Sequence, residues 1–140
     1  MKHNFFIYIT FLFVIIYGCT GRTGKSVAGI GGEQDSTEIV FTKEIHDLGV
    51  ITSGESVKCS FEFFNNGKNP LLIQQVVAGC GCTNVKFPKK PISPKQKGTI
   101  EVTFNSTGRQ GHQRKTINVI SNGSEMPIML VIIANVEPNN

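Results

Sequence analysis

The chain has 140 residues, 39% of them apolar and 17% charged, with a formal net charge of +4. That is enough for one compact domain and not two, and the charge is too mild to argue for nucleic acid. Trp is absent, but ten Phe supply bulk for a core.

Residues 1–18 read as a secretory signal. Lys2 supplies a cationic start, and the 13 residues from Phe5 to Tyr17 are apolar except for Thr10. A membrane-spanning helix needs about 20, so this is a leader rather than an anchor. A small residue and a cysteine directly after the apolar run resemble the lipobox of bacterial lipoproteins. There Gly18 fits the narrow pocket of the peptidase, and the Cys19 thiol takes a diacylglyceryl group before cleavage. Tyr17 is bulkier than the usual residue at its position. Two or three acyl chains hold a protein stably on a membrane, at about 0.8 kcal/mol per buried CH2. Removing residues 1–18 takes away one charge, Lys2, leaving 122 residues at net +3. With Cys19 acylated three thiols remain, Cys59, Cys80 and Cys82, so in an oxidising compartment at least one is unpaired within the chain.

From Thr20 to Thr37 five of 18 residues are Gly and the apolar ones have no period. After Cys19 this predicts a flexible tether with an r.m.s. reach of roughly 20–25 Å. Gly24-Lys25-Ser26 fails as a phosphate-binding loop, because Cys19 stands where its first Gly belongs and no strand precedes it. Asp35-Ser36-Thr37 resembles an acceptor triplet for bacterial O-glycosylation, but a linker turn is the plainer reading.

Residues 38–137 show a β pattern, with 138–140 a tail. Ile39 and Phe41 alternate with polar residues, and Leu48 to Ile51 follows. Val57, Cys59, Phe61 and Phe63 share one face, with Lys58, Ser60 and Glu62 on the other. Asn65-Asn66-Gly67-Lys68-Asn69-Pro70 is turn chemistry, and Leu71 to Val77 is the next strand. Ile100, Val102 and Phe104 alternate, as do Ile117 and Val119, and Ile128 to Val136 is apolar on both faces. About seven short strands separated by Gly/Asn/Pro turns predict an all-β fold, an antiparallel β-sandwich of immunoglobulin type.

The chain also resembles a family. Asp47-Leu48-Gly49-Val50-Ile51, Phe63 with Asn65-Asn66-Gly67, Pro70-Leu71-Leu72-Ile73 and Gly79-Cys80-Gly81-Cys82-Thr83 match its opening half. Pro91-Ile92-Ser93-Pro94, Gly111, Lys115, Ile117, Val119 and Ser121-Asn122 continue it. Over roughly residues 38 to 137 this ordered set is similar to the exported bacterial domain-of-unknown-function family fifteen-seventy-three. The resemblance implies an immunoglobulin-like fold, close to Hydin-type and pilus-chaperone sandwiches, often in a lipoprotein. It implies no activity. Lys95 follows Pro94 where the family usually has Gly, and His112-Gln113 replaces a more apolar pair.

Cys80-Gly81-Cys82 is the candidate for chemistry. Two thiolates one residue apart can hold Cu(I) or Zn(II), or close into a small, easily reduced disulfide across the Gly81 bend. A plain turn leaving the third strand is the structural alternative. A metal needs three or four ligands, and His46, His112, Met126 and Met129 lack ligand spacing to the pair. If Asn66–Pro70 closes a hairpin, Cys59 lies level with Val77, roughly 10 Å short of Cys80. That exceeds the reach of a disulfide, so Cys59 is expected as a buried, unpaired thiol. No Gly-x-Ser-x-Gly elbow and no assignable carboxylate pair is present, and Asp47 reads as a turn cap.

Two surfaces stand out. Lys86, Lys89, Lys90, Lys95 and Lys97 share a segment without acids in which Pro88, Pro91 and Pro94 recur every third residue, the polyproline II period. It reads as a stiff basic strip, either a solvated connector guarding a sheet edge or an anion-attracting surface that Arg109, Arg114 and Lys115 extend. In the last strand, Ile128, Leu130, Ile132, Ala134 and Val136 face the core, leaving Met129, Val131 and Ile133 outward. The connector covers them, or they form a protein interface. The reading as a whole is a non-enzymatic binding or scaffold module without cofactor, lipid-anchored through Cys19 in a bacterial cell envelope, on an outer-membrane or periplasmic face. A protein or envelope glycan is its expected partner, and nucleic acid is not. The alternative is a thiol redox or soft-metal protein using Cys80 and Cys82.

Overall fold

The computed structural model describes residues 36–139. Cys19, the leader and most of the tether lie outside them. Eight strands follow one another: β1 (Ile39–Phe41), β2 (Ile45–Thr52), β3 (Ser56–Asn65), β4 (Ile73–Ala78), β5 (Thr83–Lys86), β6 (Lys97–Asn105), β7 (Gly111–Ser121) and β8 (Ile128–Glu137). They form two four-stranded sheets, ordered β1-β3-β6-β5 and β2-β8-β7-β4. The all-β sandwich expected from the alternation is what the chain adopts.

Period-2 patterning explains the layers. Phe61, Phe63, Ile100, Val102 and Phe104 project from one sheet onto Ile117, Val119, Leu130 and Ile132 of the other, and each of these is essentially without solvent exposure. Fully burying each such side chain contributes about 1.5–3 kcal/mol before conformational entropy is subtracted. Gly98 belongs to this packing: a Cβ there would collide with the Phe63 ring and Ile92 Cδ1.

Two details differ from the pattern. After Phe41 the chain crosses between sheets, so β1 pairs with β3 while β2 joins the other sheet beside β8, in parallel. Every other pairing is antiparallel. A bulge between Asp47 and Val50 re-registers β2, with Gly49 at φ +70° and its N–H donated to Asp47 Oδ1 at 2.8 Å. Asp47 is thus a turn cap. Second, Asn66–Pro70 is not a hairpin, because β3 and β4 lie in opposite sheets. The buried Asn65 side chain turns the chain across the sandwich instead. Its Nδ2 donates to the carbonyls of Asn69 (2.8 Å) and Ile92 (2.9 Å), and its Oδ1 accepts the Gly67 N–H (3.1 Å).

Candidate functional site

The strands put Cys80 and Cys82 in the turn that carries the chain from β4 in one sheet to β5 in the other. They are joined by a disulfide with Cα atoms 5.3 Å apart. Backbone bonds hold the turn independently: Gly79 N–H to Thr116 O (2.9 Å), Thr83 N–H to Cys80 O (3.3 Å) and Asn105 N–H to Cys82 O (2.9 Å). The buried Thr83 hydroxyl lies 3.5 Å from Cys80 Sγ and 3.8 Å from Cys82 Sγ. Cys82 packs against the small cluster of Ile51, Phe104, Ala134 and Val136, and Lys115 Nζ stands 6.0 Å from the centroid of the Phe104 ring. The Lys115 ammonium is pushed below the usual lysine range by burial and by the nearby Arg109 guanidinium. Arg109 Nε is buried and has no hydrogen-bond partner. Cys59 is the contrast, a buried free thiol in the core that burial pushes up to about 11.

The lysine segment is pinned rather than uniformly extended. Phe87 and Ile92 are packed into the core, Ile92 bridges Leu71, and Ser93–Gln96 turns on a Gln96 N–H to Ser93 O bond of 3.1 Å. Lys95 occupies the third position of that turn at φ 62°, the conformation that favours Gly. Its Nζ donates to Asn66 O at 2.7 Å. Lys89 Nζ caps the Phe87 ring at 3.4 Å and Lys97 Nζ faces Phe64 at 5.0 Å, while Lys86 and Lys90 are exposed. Arg109 does not extend this strip. Strand β6 carries the chain from Lys97 to Asn105, so the turn holding Arg109 is at the opposite end of the sandwich. Lys86 also borders a shallow groove of about 470 Å3 on the outer face of β3-β6-β5, with Lys58, Ser60, Asn84, Glu101 and Thr103.

The β8 expectation needs correcting at one residue. Val131 is only 3% exposed, because Ile45 of β2 and Thr116 of β7 flank it on the same face. It offers no contact surface. Ile133, between Asp47 and Arg114, is half-buried, whereas Met129 lies beyond the start of β2 and is 48% exposed. Nor does the lysine connector cover this face, since its anchors enter the core between the sheets. The exposed apolar residues on this outer face are Ile45, Val50, Val77 and Met129. Among the described residues no group of three or more His, Cys, Asp or Glu is placed to hold a metal ion. His46 stacks edge-on against Phe61, with ring centroids 5.9 Å apart.

The fold places this chain among all-β immunoglobulin-like sandwiches. Residues 39–136 match the family described as proteins of unknown function, DUF1573, and the chain belongs to that family. None of the curated proteins matches it in sequence. A protein of unknown function from Porphyromonas gingivalis W83 is similar in structure, with a TM-score of 0.63 and 18% identity. That likeness covers 72% of this chain and 47% of the Porphyromonas one, so the chain spans about half its length. The ASH/PapD-like domain 7 of human CEP192 aligns over 86% of this chain and 99% of that domain, at TM-score 0.61 and 8% identity. The VesB protease of Vibrio cholerae aligns at TM-score 0.54 and 13% identity, over 74% of this chain and 32% of that one. At these identities the likeness is one of fold.

Proposed function

We propose that this chain is a lipid-anchored binding or scaffold module of a bacterial cell envelope, without catalytic activity of its own. Two features support the reading. The Gly18-Cys19 string after a 13-residue apolar run supplies the anchor. The observation that carries the binding role is the outer face of β2-β8-β7-β4, where Ile45, Val50, Val77 and Met129 stand in solvent. Four exposed apolar side chains on one sheet face fit contact with another protein better than with a glycan, which favours polar groups and aromatic platforms. The polar groove at Lys58, Lys86 and Glu101 is lined by a single carboxylate, so it offers no opposed pair of carboxylates.

Anchoring and binding separate in one experiment. Cys19→Ser should move the protein from membranes to the soluble fraction or leave it unprocessed, and a mutant still cleaved after Gly18 and still membrane-bound would overturn the lipid anchor. A photo-crosslinking residue at position 129 should join the native protein to a partner in intact membranes. The same residue at Lys58, on the opposite face, should not. Equal labelling from both faces would remove the case for this surface.

A further inference from the structure

We propose that the Cys80–Cys82 disulfide is a thiol–disulfide exchange site that accepts two electrons from a dithiol. Four observations lead there, independently of the binding role. The crosslink closes a loop of three residues, which removes little freedom from the unfolded chain and makes it a poor staple. The turn keeps its shape without it, through the backbone bonds of Gly79, Thr83 and Asn105. Access is open: Gly79 and Gly81 are exposed, and nothing stands within 4 Å of the place where a Gly81 side chain would be.

The fourth observation concerns the leaving group. Exchange is fast when the departing sulfur is stabilised as a thiolate. Thr83 Oγ1 is within reach of both sulfurs, so its hydroxyl can donate to whichever one leaves. Continuing the β4–β7 ladder past the Gly79–Thr116 bond puts Cys80 level with Lys115, whose Nζ lies 6.0 Å from the Phe104 ring of the cluster that Cys82 packs against. Arg109 adds a second positive charge beside Lys115. Cys59 has the reverse setting, a thiol that burial holds protonated up to about 11.

The step balances as follows. A donor thiolate attacks one sulfur of the pair, forming a mixed disulfide as the Cys80–Cys82 bond breaks and its electrons leave on the other sulfur. The donor's second thiolate then attacks its own sulfur in the mixed disulfide and releases the second cysteine. The donor is oxidised to a disulfide, and Cys80 and Cys82 are reduced to thiols that carry the donor's two protons.

The test uses the full chain in detergent at pH 7. Dithiothreitol, or a short Cys-x-x-Cys peptide, is added, and the products are alkylated and mapped by mass. Cys80 and Cys82 should become labelled while Cys59 stays unlabelled and the far-ultraviolet dichroism is unchanged. Thr83→Val should slow exchange about tenfold and Thr83→Ser should restore it, while Lys115→Gln should slow it about threefold. Labelling with dithiothreitol alone would keep the site but confine its donors to small thiols. The proposal fails if Cys80 and Cys82 are labelled only together with Cys59, that is, on unfolding. It also fails if Thr83→Ser exchanges at least tenfold more slowly than the parent, or if a folded Thr83→Val protein exchanges at the parent's rate.

Discussion

Asn65 has no solvent exposure, yet all its polar atoms are engaged, since its N–H donates to Gln96 O at 3.0 Å and its carbonyl accepts the Lys95 N–H at 2.8 Å. An unsatisfied buried polar group costs about 1–3 kcal/mol. Asn65→Ala removes three side-chain hydrogen bonds worth about 1 kcal/mol each, although the Ile92 carbonyl keeps the Leu71 N–H, so we expect a loss of about 3 kcal/mol, read as a lower urea midpoint at unchanged slope. Cys59 gives a pH signature. Its folded value of about 11 lies above the ordinary 9.0, so between those pH values the folded state keeps a proton that the unfolded state releases. Stability therefore falls with rising pH across that window, by about 2 kcal/mol, and is indifferent to Cys59 below it. Cys59→Ala should abolish this slope, at a cost of about 1 kcal/mol near neutral pH from the shallow cavity it leaves. The difference between parent and variant in urea titrations at pH 8 and 11 measures it.

At the level of the element, β8 shows how neighbours rather than periodicity decide exposure. Val131 and Met129 share a face and alternate identically, but only Val131 has strands on both sides. Val131→Ala should cost about 2 kcal/mol, whereas Met129→Thr should stay within about 0.5 kcal/mol, both read from chemical unfolding. The same distinction sets what was legible in the sequence. Alternation through Val57–Phe63 and Ile100–Phe104 specified the inward faces, because that signal is local. The crossing from β1 to β2 and the parallel β2–β8 pair were not legible, since they depend on which sheet a three-residue strand joins. Thr83–Lys86, with one large apolar residue in four, carried too little pattern to read as β5. Asn65-Asn66-Gly67 was recognised as a turn, but a side chain reaching 27 residues along the chain to Ile92 leaves no local mark. At the candidate site, Cys80 and Cys82 were evident. Thr83 beside them carries no local mark of its reach to both sulfurs, and the sequence does not separate Lys115 and Arg109 from the lysines at the other end, because only the registers show which end a turn occupies.

Across the whole molecule, the two sheets give the domain a direction. The described chain begins beside Asn66 and Lys68, whose backbone N–H groups donate to Glu38 and Ser36. It leaves after Glu137, opposite Thr52, at the far end of β2. The disulfide turn follows Ala78, at the end of β4 away from Ile73. A domain held from its N-terminal side therefore presents Cys80–Cys82 away from the attachment. The parallel β2–β8 pair has a mechanical consequence. Its strands point the same way, so tension applied at Ile45 and Glu137 slides one along the other. The six registered pairs from Ile45↔Val131 to Thr52↔Glu137 then carry the load together. Pulling at Ile45 and Ile128 grips neighbouring ends and peels the ladder one rung at a time. Force spectroscopy with those two attachment geometries should find the first rupture force clearly the higher. Tension along β2 and β8 is thus resisted while the turns stay free to react.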